Sequence, residues 1–181
     1  MAISERAAAE ILRRVGLSRE QARLLLLTGV AGAGTQARTT TYDEARVRDL
    51  TQRPAVDQEE LADLCPWGIH VTRLSRRRAI DLSRPWAEQA AEVAAQPPLP
   101  LMTAALLGVR IGVNGGLPWV VTVSGLVVFG ADTSGWDRRE DGSVVYDLEP
   151  PGTWFEALDR RWFAFGPGRH WFFWDPWRLQ Q

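Results

Sequence analysis

The chain has 181 residues, enough for one domain or two small ones, and its 45% hydrophobic and 24% charged content excludes a disordered or fibrous protein. Its 21 basic residues balance 22 acidic ones, which excludes an electrostatic footprint for nucleic acid spread over the whole chain. Every basic residue is arginine, as codon usage in a GC-rich genome produces, so there is no Walker-type phosphate loop, no Schiff base and no lysine general base. In chain order, Ser4 starts a helix whose Ala8, Ile11, Leu12 and Val15 share one face, and Gly16 ends it. Ser18 with Gln21 forms a capping box for a second helix, which runs through Leu24, Leu25, Leu26 and Leu27 and stops at Gly29. The glycines 29, 32 and 34 cap and open the chain here and do not fit a dinucleotide-binding turn. Residues 35–42 are rich in β-branched side chains and predict a short hairpin or wing. Thr41 with Glu44 is a second capping box, predicting a helix over 43–52, and Asp57 with Glu60 starts a fourth helix that ends near Cys65 and Pro66.

Residues 69–74 alternate as a strand does, and Ser83 is expected to cap a helix over 84–95. Residues 100–113 lean towards a helix. Strands are predicted over 119–123 and 126–129 around Ser124 and Gly125, and again over 143–148. The acidic stretch 132–141 matches no calcium loop and reads as a solvated hairpin connection. A short helix over 152–158 follows, then two closing strands, 162–165 and 170–174, joined by Gly166, Pro167 and Gly168. Ten aromatic residues fall between 154 and 177. On a strand over 170–174, His170, Phe172 and Trp174 face one way and Trp171 and Phe173 the other, so both faces need cover.

Charge and composition divide the chain into three. Residues 1–53 carry nine arginines and six acids, 54–96 five and seven, and 97–181 seven and nine. The stretch 96–100, with three prolines, reads as a linker, and Arg53 with Pro54 as a second joint. The expected organisation is a helical unit over 1–53, a connecting helix-strand-helix segment over 54–96, and a β-rich aromatic domain over 97–181. The fold class is α+β, its second part a mainly antiparallel sheet with one or two helices.

Helix, glycine-containing turn, helix, β-rich wing, helix is the order of a winged helix-turn-helix. Residues 5–53 resemble the DNA-binding module of the MerR and excisionase families. The resemblance rests on residues 7–12 (AAAEIL), 15–18 (VGLS), 19–23 (REQAR) and 42–47 (YDEARV). It implies a recognition helix with Arg19, Gln21 and Arg23 at its N-terminal end, Arg38 on the wing, and Arg46 at the start of the third helix. The implied partner is duplex DNA, read by a homodimer, with the C-terminal part dimerising or sensing a protein or small-molecule ligand. The competing reading is a protein-interaction module without DNA activity.

No catalytic residues are assigned. Cys65 and His70 lack a third orienting group, and two histidines with one cysteine do not build a common structural zinc site, so no metal or cofactor is expected. The run Arg76, Arg77, Arg78 reads as a solvated basic turn. One cysteine permits no internal disulfide, the first residues lack the apolar stretch of a signal peptide, and the apolar stretch 117–131 is too short and too broken to span a bilayer. The expected compartment is the cytoplasm.

Overall fold

A computed structural model describes residues 1–32, 34–36, 40–74, 80–163 and 170–176. The chain opens with a strand, β1 (Ala2–Ser4), and two helices, α1 (Glu5–Arg13) and α2 (Arg19–Leu27). Ser4 Oγ accepts from the Ala7 amide, and Ser18 and Gln21 form both bonds of the capping box at α2. β2 (Thr35–Gln36) and β3 (Thr40–Asp43) follow, then α3 (Glu44–Gln52). The three strands form a small antiparallel sheet in the order β1-β3-β2. The cap of α3 is Asp43, whose side chain accepts from the Ala45 amide; Thr41, expected in that role, lies inside β3. A carboxylate at the helix start also favours the positive end of the helix dipole.

α4 (Gln58–Leu64) starts where expected, with Asp57 accepting from the amides of Glu59 and Glu60. β4 (Ile69–Arg73) is buried along nearly all its length. α5 (Trp86–Val93) starts at Pro85 without a side-chain cap. Ser83, expected to cap it, is bonded through its amide and hydroxyl to Asp81. β5 (Ala95–Gln96) leads through prolines into α6 (Leu101–Asn114), which ends at Gly115 in the left-handed region, φ 71°.

β6 (Leu117–Val123) and β7 (Leu126–Arg138) are joined by Ser124 and Gly125, both at positive φ, a two-residue turn whose twist suits a hairpin. β7 is far longer than the 126–129 strand expected from sequence. It pairs with β8 (Val144–Glu149) from Asp132 to Arg138, so most of the stretch expected as a solvated connection is paired strand. A 3₁₀ turn, Thr153–Ala157, occupies the expected short helix. β9 (Trp171–Trp174) closes the sheet against β4. Trp162, expected to open a closing strand, makes only isolated bridges, to Ala55 and Leu126. The glycine-proline joint at 166–168 lies outside the described residues.

The large sheet has six strands in the order β5-β8-β7-β6-β4-β9. Only β4 and β6 run parallel, so it is mainly antiparallel as expected. The segment 54–96 is more than a connection, because it contributes β4, fifth in the order between β6 and β9, and β5 at one end. One face of the sheet packs Ile69, Val71, Val120 and Trp174 against Leu61 and Cys65 of the α4 region and Leu158. The other carries Trp119, Val121 and Tyr146, and its apolar core runs without a break into Leu12, Leu25 and Leu50 of the N-terminal helices. Two bonds fasten that unit to the sheet. Ser124 Oγ donates to the Gln21 carbonyl at 2.9 Å, and Trp162 Nε1 donates to the Leu50 carbonyl at 3.0 Å.

Candidate functional site

The N-terminal unit places the five expected contact residues differently from one another. Arg19 is exposed at the first turn of α2 and makes no ion pair among the described residues. Gln21 is exposed, but its side-chain oxygen accepts from the Ser18 amide at 2.8 Å as half of the capping box. Arg23 is turned back across the unit, its Nε donating to Glu5 Oε1 at 2.6 Å. Arg46 lies over Gly32, whose φ of +84° disfavours any side chain there. Arg46 belongs to the edge of the small sheet, beside Thr35, Thr41 and Asp43, and stands apart from the Arg23–Glu5 pair. Arg38 lies outside the described residues, as do Arg76, Arg77 and Arg78.

Electrostatics thin this face. Arg13, Arg23, Arg48 and Arg53 are paired with Glu10, Glu5, Glu44 and Asp49. Arg19 and Arg46 are therefore the two expected contact residues whose charge is uncompensated among the described residues. Behind Arg23, the Tyr42 phenol is held above its ordinary range, first by burial and then by the Glu5 carboxylate. Sequence spacing placed Arg19 and Arg23 on one face correctly, but it did not reveal that Glu5, 18 positions away, takes Arg23.

The second candidate lies on the inner face of the large sheet. Tyr146 on β8 and His70 on β4 are three places apart in the strand order, a separation of about 14 Å in a flat sheet. Yet Tyr146 Oη lies 3.4 Å from His70 Nε2, so the sheet is curled and brings the two side chains together. Trp119, the register partner of His70 on β6, lies 5.0 Å from the Tyr146 ring and donates its Nε1 to Thr72 Oγ1 at 2.8 Å. Where the curl opens, a cavity of about 320 Å³ is bounded by Thr72, Arg73 and Leu74 on one side and by Gln96 and Pro97–Leu99 on another, with Tyr146, His170 and Trp171 completing it. The proline stretch expected as a linker is thus a cavity wall. Gln96 is buried, its amide donating to the Val93 carbonyl.

The cavity walls are mostly apolar, and their polar groups are the Thr72 hydroxyl, the Arg73 guanidinium, the Gln96 amide, the Tyr146 phenol and the His170 imidazole. His70, fully buried, is held neutral; burial, then the nearby Arg110 guanidinium, lowers its pKa from 6.5 to about 3. Its Nδ1 has no hydrogen-bond partner among the described residues. Cys65 packs on the opposite face of the sheet, and burial pushes its thiol up to about 12, far from a reactive thiolate. Cys65 and His70 are therefore not brought together. His170 and Asp175 do not pair either; Asp175 Oδ1 meets Arg110 Nη1 at 2.6 Å.

The aromatic run splits between faces as the odd spacing requires. Phe172 and Trp174 join the core beneath α4, and Trp171 and Phe173 join the inner face. Trp174 is buried and Trp171 half-buried at the cavity wall. Among the described residues, no helix is long and apolar enough to cross a membrane. No family model matches the chain, and no curated protein or solved structure matches it.

Proposed function

We propose that residues 1–53 are a winged helix-turn-helix unit that binds duplex DNA, within a cytoplasmic regulator whose curled sheet holds a small ligand. The carrying observation is the order and capping of β1, α1, α2, the β2–β3 pair and α3, with Arg19 exposed at the start of α2. α2 addresses the major groove, and Arg46 at the edge of the small sheet meets the phosphates beside it. The Gln21 amide oxygen completes the helix cap, which leaves its NH2 group to face the duplex. Arg19 and Arg46 are available at once, and Arg23 only when it leaves Glu5.

The test is a titration of fluorescent duplex DNA at several salt concentrations. Replacing Arg19, Arg38 or Arg46 by Ala lowers affinity, and each lost phosphate contact flattens the salt dependence by about one unit of slope. Absence of duplex binding at low salt overturns the reading.

A further inference from the structure

α6 is apolar on both faces. Ala104, Leu107 and Ile111 are buried on the sheet side. The other side carries Leu101, Met102, Leu106, Val109 and Val113, exposed by 76, 81, 42, 62 and 73%. Met102, Leu106, Val109 and Val113 recur at the spacing of a single helix stripe. A helix hydrophobic all round belongs in an interior, and monomeric proteins seldom leave an apolar patch of more than a few hundred Å² in water.

We propose that this face is a homodimer interface, in which α6 of one protomer packs antiparallel against α6 of its partner about a two-fold axis near Leu106 and Val109. The area fits that occupant. The face offers roughly 600 Å² per copy, so two copies hide roughly 1,200 Å², the lower end of a specific interface. Gly108 and Gly112 are exposed, and a Cβ on Gly112 would meet nothing within 4 Å, so a second helix can approach closely there. The charge pattern fits too. The only ionisable residue in α6 is Arg110, whose guanidinium is turned aside to Asp175 and the Trp67 carbonyl. A neutral face meets its own copy without repulsion, as a two-fold contact requires. Within α6, no acid lies in the first turn and no cation in the last turn to seat the face on anionic lipid. Antiparallel pairing also sets the two helix dipoles in opposition.

Sedimentation of the chain at micromolar concentration, without DNA, is expected to give twice the 20.2 kDa mass. Replacing Leu106 and Val109 together by Asp weakens the dimer by roughly 100-fold or more, because association would bury unpaired carboxylates, while the far-ultraviolet spectrum and melt stay those of a folded monomer. Should that variant fail to fold, Val109→Cys still decides. Cys65 is buried, so a disulfide-linked dimer reports residue 109 near the axis, whereas Leu101→Cys, at the helix end, does not cross-link. A monomeric parent, a dimer indifferent to the double substitution, or cross-linking at Leu101 but not at Val109 overturns the proposal. Because no DNA is present, the outcome is independent of whether residues 1–53 bind a duplex.

Discussion

The four helices before β4 each begin at a side chain that accepts a backbone N–H, namely Ser4, Ser18, Asp43 and Asp57, whereas α5 and α6 begin at Pro85 and Pro100 with no such cap. α1, α2 and α3 have nine residues each, too few to persist alone in water. They add Ala, Leu and Val side chains to the core they share with the sheet, and the capping bonds fix where each of them starts. α5 and α6 instead lie against a sheet whose interior is aromatic. Trp86 stacks on Phe129 at 5.9 Å, and its Nε1 donates to the Gly130 carbonyl at 3.0 Å. Local polar bonds define the first region, and distant apolar contacts define the second.

The strongest way to break this contrast is to remove the centre of the sheet. Trp119 is fully buried, touches Tyr146 and Phe129, and bonds Thr72. Trp119→Ala is expected to cost about 3–5 kcal/mol, comparable to the whole stability of a small domain, and denaturant melts measure it. Trp174→Ala is expected to cost more than Trp171→Ala, since Trp174 is buried and Trp171 only half-buried at the cavity. If both variants melt like the parent, the aromatic run is not core. Gly130→Ala belongs with these, because a Cβ there collides with the Phe155 ring; overpacking of this kind costs about 1–3 kcal/mol.

The interior also gives the sheet a pH signature in the acid range. His70 takes up a proton near pH 6.5 when unfolded and only near 3 when folded. The unfolded chain therefore binds more protons between these values. Stability is full above pH 6.5 and falls as pH drops towards 3, by up to about 1.4 kcal/mol per pH unit. His70→Gln removes that slope. Urea melts of both proteins across this window check it, and parallel slopes would show that His70 does not carry the acid sensitivity.

The same contrast explains what the sequence revealed. A cap and its helix are neighbours in the chain, so Ser4, Ser18 and Asp57 were legible from spacing alone. Thr41 was misread because Asp43, nearer the helix, offers a carboxylate to the same amides. The sheet depends on partners far apart. Nothing near residue 70 announces that Trp119 and Phe173 will lie beside it, and the acidic composition of 132–138 hid the strand that pairs with β8. The cavity was illegible for the same reason. Its wall of prolines has the composition of a linker, and only the curl of the sheet sets it opposite β4. Of the expected contact residues, spacing located Arg19, whereas the diversion of Arg23 to Glu5 is a tertiary event.

A local substitution sharpens the comparison from the other side. Ser18→Ala removes the hydroxyl that accepts from the Gln21 amide and leaves the reciprocal bond unsupported. The expected cost is about 1 kcal/mol, smaller than any core substitution in the sheet but concentrated in one helix. Amide hydrogen exchange is the apt readout. Faster exchange confined to α2 fits a locally capped unit, whereas uniform loss of protection across both regions would show that the shared core couples them fully.

The smallest expected effect on stability carries the most information about function. Arg23 and Glu5 form an exposed pair, Nε to Oε1 2.6 Å, on the face proposed to meet DNA. Exposed pairs contribute little, so Glu5→Gln should change the melt by less than about 1 kcal/mol. Its effect on a duplex should be larger in proportion. The substitution removes a negative charge from the approaching surface and releases Arg23 to stand one turn from Arg19, restoring the paired arginines that the α2 sequence presents. Affinity for duplex DNA should rise and its salt dependence should steepen by about one unit of slope, because one more cation is free to displace a counterion. Arg23→Ala in the parent should then do little, and the same change on the Glu5→Gln background should abolish the gain. If Glu5→Gln leaves duplex affinity unchanged while Arg23→Ala weakens it, Arg23 already reaches the phosphate from its pair. If neither changes binding, α2 does not face the duplex, and the unit meets its partner by another surface.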